Sequence, residues 1–283
     1  METPVPPFEP HGEKRRLRSR IKWIPIRILL PNLITVLAIC AGLSGVRLAF
    51  ENRFEIAVIM VLFAAFLDGI DGRIARMLKA TSKFGAEMDS LADIVNFGAV
   101  PAMVLYAYML DRAGNFGWIA ALLFAIACAL RLARFNIQIE DTERPAWQGD
   151  YFTGVPAPAG AVLLMLPIYL GFLGLEANIF TGYAASVYTV VIAILLVSTL
   201  PVYSGKSIGV RVRGDIVVPL MLLVVLYVLL LVSFPWQTMT VSAIAYIGFL
   251  PFSYRMYANR LLAERRAADV AAVKPRDEGA KEK

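Results

Sequence analysis

The chain has 283 residues, of which 58% are apolar and only 18% charged, with a formal net charge of +6 and a mean hydropathy of +0.64. Soluble domains carry about 45–50% apolar and about 25% charged residues, so the balance argues against a cytosolic globular enzyme. The only histidine, His11, lies in a Pro-rich leader, and Cys40 and Cys128 sit inside apolar runs as small core residues, which argues against a His/Cys metal framework or a Ser-His-Asp set in one chain.

In chain order, residues 1–13 read as a Pro-rich tail, and residues 14–27 (KRRLRSRIKWIPIR) suit a short interfacial helix on anionic lipid or a plain basic anchor. A bilayer core of about 30 Å asks for roughly 17–25 mostly apolar residues per helix. Eight runs approach that length: about 33–50, 54–75, 88–110, 116–136, 157–175, 180–200, 215–233 and 237–254. The first is not expected to be a cleaved secretory signal, because its basic leader is long and further spans follow without a small-residue cleavage site. With the N-terminus inside, all but Arg47, Arg53 and Arg112 of the 28 basic residues fall on cytoplasmic segments. The expectation is an all-α, polytopic membrane bundle of about eight helices with both termini cytoplasmic in a bacterial inner membrane. Residues 1–27 and 259–283 are its tails, and 28–258 its transmembrane catalytic domain.

Acidic residues are costly inside a membrane helix, so each is a functional candidate. Asp68, Asp71, Asp89 and Asp93 fall within 26 residues. The first pair is three apart at the cytoplasmic half of the second run, and the second pair four apart near the start of the third. Each spacing puts its pair on one helix face. A short basic loop joins the runs, so they should be antiparallel neighbours with facing pairs. Four such charges repel unless cations sit between them. Oxygen donors of this number suit Mg²⁺ or Mn²⁺, which complete their shells with water and substrate phosphate. An ion-translocating cluster, or structural pairing with Arg73 and Arg76, is the plainer alternative. Gly72, Ala75 and Gly85 lack bulk beside the acidic faces, which allows close packing or room for a flat ligand. Arg76 can pair with a phosphate, and Ser82 can hydrogen-bond to one.

The string Asp68-x2-Asp71-Gly72-x2-Ala75-Arg76-x8-Gly85-x3-Asp89-x3-Asp93 resembles the motif of the CDP-alcohol phosphatidyltransferases at every position. The resemblance implies two divalent cations held by Asp68, Asp71, Asp89 and Asp93, with Asp93 also the general base and CMP the leaving group. It implies contacts to the CDP portion of CDP-diacylglycerol from Gly72, Ala75, Arg76, Ser82 and Gly85. The segment Pro31-Asn32-x2-Thr35 is similar to the one that faces the nucleotide diphosphate in that family, although a helix start explains it too. Over roughly residues 25–255 the chain looks most like the phosphatidylserine synthase branch, through Ser90–Gly98 (SLADIVNFG), Leu130–Asn136 (LRLARFN) and Phe152–Pro158 (FTGVPAP). That implies L-serine as acceptor.

Arg131 and Arg134 share a face at the cytoplasmic end of the fourth run. They can hold a serine carboxylate or a lipid phosphate, or act as snorkelling anchors, and Asn96 joins them as a candidate. Choline, glycerol phosphate and inositol phosphate remain alternative acceptors. An ion-coupled transporter is the alternative of another class, although its site would be expected near the midplane with repeated halves. The loops 144–158 and 203–213 can cap the site. Residues 203–207 (YSGKS) are not a phosphate-binding P-loop, because Leu200 stands where a glycine is required. Family members form homodimers, and the sequence locates no interface for one here.

Overall fold

The structure is a computed structural model and describes residues 26–80, 82–140, 151–203 and 214–273. Residues 14–25 of the expected basic helix 14–27, the loop carrying Arg144, and the segment carrying Lys206, Arg211 and Arg213 lie outside the described residues, and residues 26–27 belong to the first membrane helix.

Helix α1 (Ile26–Phe50) and helix α2 (Phe54–Met77) form an antiparallel hairpin. Its turn is made possible by Asn52 in the left-handed region (φ 60°), a conformation that asparagine tolerates better than most residues. Small residues let the two helices close. A Cβ on Gly45 would lie 3.0 Å from the Ala57 carbonyl oxygen, and Ala57, Val58, Val61 and Ala64 of α2 are buried.

The third span runs from Lys83 to Tyr108 but is not one regular helix. Helix α3 (Lys83–Asp93) passes into a π-helical segment, Ile94–Ala99, and then into α4 (Val100–Tyr108). The wide turn is visible in the Val100 N–H, which donates to the Val95 carbonyl. Helix α5 (Asn115–Glu140) packs on the π-helical segment and on α8 (Ile179–Val197). Gly98 permits the first contact, since a Cβ there would meet the Cys128 side chain at 3.2 Å.

The fifth anticipated span is broken. It forms α6 (Ala157–Leu164) and α7 (Leu166–Phe172), parted at Met165. Pro167, in the first turn of α7, has no N–H to carry the ladder across the break. Strands β1 (Tyr151–Thr153) and β2 (Pro201–Tyr203) pair antiparallel, Phe152 opposite Val202, where loops were expected. This short ladder leaves the architecture all-α. Helix α9 (Gly214–Ser233) has no residue of its membrane-length window buried. Apolar all round, it suits lipid wherever its neighbour in the chain does not touch it. Helix α10 (Pro235–Val273) contacts α7, α9 and β2, and continues well past the expected eighth span.

Among the described residues, five helices are long and apolar enough to cross a membrane by length and composition: Leu29–Phe50, Lys83–Tyr108, Asn115–Ile137, Ile179–Val197 and Ile216–Ser233. The chain is thus a polytopic all-α membrane protein, and the count of eight is not reached by this measure. Helix α2 is interrupted by its own charged residues, the fifth span is split, and α10 is diluted by polar side chains. The buried centre lies where α4, α5, α6, α7 and α8 meet, around Leu105, Phe124, Leu164, Tyr169 and Leu196.

Candidate active site

The acidic residues lie where α2 and α3 leave the hairpin and central span. Carboxylate oxygens of Asp68, Asp71 and Asp89 all lie within 4.8 Å of one another. Asp71 is only 2% exposed and is held at both oxygens. The buried Thr35 hydroxyl on α1 donates to Oδ2 at 2.6 Å, and the Gly72 N–H donates to Oδ1. Asp93 stands beside Asp68, their carboxyl groups within hydrogen-bonding reach, and the Arg131 guanidinium is in electrostatic range of Asp93. Among the described residues none of the four forms an ion pair. Arg73 is exposed, and Arg76 influences Asp89 without bonding to it.

Three oxygen donors converging without a cationic side chain between them, one oxygen of Asp68 buried with no partner, fit a hard divalent cation. The three-residue group is able to hold one, and Asp93 adjoins it.

Next to this group α1, α2 and the start of α3 enclose a cleft of about 520 Å³ of empty space, counting its open mouth. Asn32 and Thr35 line it from α1; Gly72, Ala75 and Arg76 from α2; Ser82 and Gly85 from the start of α3. Ser82 is the N-cap of α3, accepting from the Gly85 N–H at 3.0 Å. The positive end of that helix therefore faces the cleft, as anion sites require. Gly85 is small for a reason, since a Cβ there would approach Asn32 Oδ1 to 3.0 Å and Ser82 Oγ to 3.1 Å. Ala80 and Ala86 also line the cleft. Sequence reasoning passed over them, although their small size continues the pattern of Gly72, Ala75 and Gly85.

The remaining candidates lie elsewhere. Arg131, 7% exposed, stacks over Phe135 at 5.3 Å and leaves its Nε unpaired. Arg134 instead donates to the Val197 carbonyl at 2.7 Å, tying α5 to the C-terminus of α8. Asn96 is 1% exposed with both amide atoms unpartnered, its Oδ1 so near α1 that a Cβ on Gly42 would come within 2.6 Å. Asn136 donates to the Ser90 hydroxyl at 3.1 Å, joining α5 to the turn between Asp89 and Asp93. Tyr246 of α10, absent from every motif, places a buried hydroxyl without a partner in electrostatic range of Arg131.

Comparison with known sequences decides the family. The model described as CDP-alcohol phosphatidyltransferase matches residues 28–200. The chain belongs to the CDP-alcohol phosphatidyltransferase family. A second model, CDP-alcohol phosphatidyltransferase 2, matches residues 215–251, which includes Tyr246. Among curated relatives, a Mycobacterium bovis protein named CDP-diacylglycerol–serine O-phosphatidyltransferase is 40% identical over 241 residues, covering 83% of this chain and 81% of that one. The Mycobacterium leprae protein of the same name is 39% identical over 230 residues, 80% of this chain and 74% of its own. The Helicobacter pylori J99 counterpart is 37% identical over 185 residues, 64% and 74% of the two chains. Membership explains why this phosphatidyltransferase keeps four carboxylates and a glycine-lined cleft in an otherwise apolar bundle.

Proposed function

We infer that the protein transfers the phosphatidyl group of CDP-diacylglycerol to the hydroxyl of L-serine, giving phosphatidylserine and CMP. The observation that carries the chemistry is the convergence of Asp68, Asp71 and Asp89 beside a cleft ending at a helix N-terminus. The acceptor is supported by relatives of 37–40% identity named for serine transfer.

Asp68, Asp71, Asp89 and Asp93 would hold two divalent cations, Mg²⁺ or Mn²⁺. When bound, these cations relieve the mutual repulsion of the carboxylates and neutralise charge on the pyrophosphate oxygens. The chain does the rest. The acyl chains stay in lipid while the CDP group enters the cleft. There the N-terminus of α3, with Ser82 and Arg76, receives phosphate oxygens, and Gly72, Ala75 and Gly85 leave space for the nucleotide. Asn32 and Thr35 close the α1 side. Asp93 takes the proton of the serine hydroxyl as its oxygen bonds to the phosphorus bearing diacylglycerol, and the bond from that phosphorus to the CMP oxygen breaks. Displacement is direct, through a ternary complex. The excess of basic residues on one set of segments supports a cytoplasmic-membrane location, with both termini and this site on the cytoplasmic side.

The test is CMP release by purified protein from CDP-diacylglycerol with a panel of alcohols. Serine should be consumed in preference to choline, glycerol phosphate and inositol phosphate, and Asp93→Asn should abolish turnover in a folded protein. CMP–CDP-diacylglycerol exchange without alcohol would refute direct displacement, and full activity of the Asp93 variant would remove the base.

A further inference from the structure

Buried polar atoms in a folded protein nearly always have partners, so those without one point to something that arrives later. Among the described residues, five of the six such atoms lie on Asp68, Asn96, Arg131 and Tyr246. Three of these residues form a series: Asp68 adjoins Asp93, Asp93 is in electrostatic range of Arg131, and Arg131 of Tyr246. The series leads away from the nucleotide cleft, whose lining includes neither Arg131 nor Tyr246.

The chemistry of the two far members is specific. Arg131 Nε can only donate, and the Tyr246 hydroxyl has a proton to give. Arg131 is 7% exposed as a residue and its guanidinium lies over Phe135, so its charge is less screened than at the surface. Two donors, one of them cationic, ask for an anionic oxygen acceptor. On the proposed reaction, serine through its carboxylate and the lipid through its phosphate both bring such a group near Asp93, and the position of Arg131 and Tyr246 off the nucleotide cleft favours serine. We propose that the serine carboxylate binds between Arg131 and Tyr246, so that α10 supplies part of the acceptor site and Tyr246 is a specificity-determining residue. With the carboxylate held there, the amine and hydroxyl of serine extend toward Asp93. The assignment rests on the serine-transfer reading and adds to it an element that lies beyond the aspartate motif altogether.

The experiment compares wild type with Tyr246→Phe, which keeps the ring and removes only the hydroxyl. CMP release is measured against L-serine and against L-serinamide, whose neutral amide replaces the carboxylate. A hydrogen bond to a charged group is worth roughly a tenfold effect or more. The KM for serine should therefore rise about tenfold, with the KM for CDP-diacylglycerol unchanged and kcat altered much less. Wild type should prefer serine to serinamide in kcat/KM, and the variant should lose about tenfold of that preference. An unchanged serine KM, or a rise in the CDP-diacylglycerol KM instead, overturns the assignment and leaves serine transfer standing. Equal use of serine and serinamide by wild type overturns it without any variant. Failure of wild type to release CMP with serine overturns the parent reading, and this one with it.

Discussion

Replacing Thr35 with valine removes one hydrogen bond from the acidic cluster and almost nothing else. The Thr35 hydroxyl is buried, 4% exposed as a residue. It lies 2.6 Å from Asp71 Oδ2 and 3.2 Å from the Pro31 carbonyl, and its single proton goes to the nearer, charged acceptor. Asp71 is otherwise fixed only by the Gly72 N–H on its second oxygen, so valine leaves the carboxylate free to turn about that contact. A hydrogen bond to a charged group contributes about 1.5–3 kcal/mol, and each 1.4 kcal/mol or so is tenfold in affinity. Loss of a residue that orients a metal ligand costs about 10–100-fold in affinity, the same range. Initial rates of CMP release, titrated with Mg²⁺, should show the half-saturating concentration rising about 10–100-fold in Thr35→Val. The rate should return at high Mg²⁺, and Thr35→Ser should resemble wild type. An unchanged Mg²⁺ dependence with a raised KM for CDP-diacylglycerol would refute this reasoning and make Thr35 a direct nucleotide contact.

Arg134→Gln should lower thermal stability in detergent by about 1–3 kcal/mol, because the 2.7 Å bond to the Val197 carbonyl is lost. A serine KM that rises with stability intact would show the guanidinium to be a substrate group instead. Gly85→Ala should raise the KM for CDP-diacylglycerol several-fold and spare that for serine, since its Cβ would press on Asn32 and Ser82 at 3.0 and 3.1 Å; steady-state kinetics with each substrate varied checks it. Gly154→Ala should destabilise by at least about 2 kcal/mol in thermal unfolding. Its φ is +79°, and a Cβ would meet the Leu196 and Ser198 carbonyl oxygens at 2.6 and 2.8 Å.

Much of the acidic cluster could be read from helical periodicity alone. Three- and four-residue spacings on two helices joined by a short loop leave few ways to keep Asp68, Asp71 and Asp89 apart, and their oxygens meet. Membrane spans are legible for the same reason, since a run of apolar residues has to be buried in something apolar. Irregularity is harder to see. No residue type marks the π-helical segment at Ile94–Ala99, which packs on α5. The break at Met165 is hinted at by Pro167, yet membrane helices often tolerate proline, as α9 does at Pro219. Partners across elements are also invisible in one dimension. Thr35 and Asp71 are 36 residues apart. Arg131 and Arg134 look equivalent on paper, but one lies over Phe135 in electrostatic range of Asp93 and the other bonds a helix end.

The π-helical segment also acts as an angular offset within a single span. Upstream of it, Asp89 and Asp93 face α2; within it Phe97 and Gly98 are buried, Gly98 against α5, and downstream Val100, Val104 and Leu105 are buried. Winding the same residues Ile94–Ala99 as regular α-helix, with none removed, would swing the two stretches by about 100° relative to one another. Either the carboxylates or the packing face would then point the wrong way. The extra residue thus lets the direction of the catalytic side chains be set independently of the direction in which the helix must be buried, two requirements that a uniform helix would bind together.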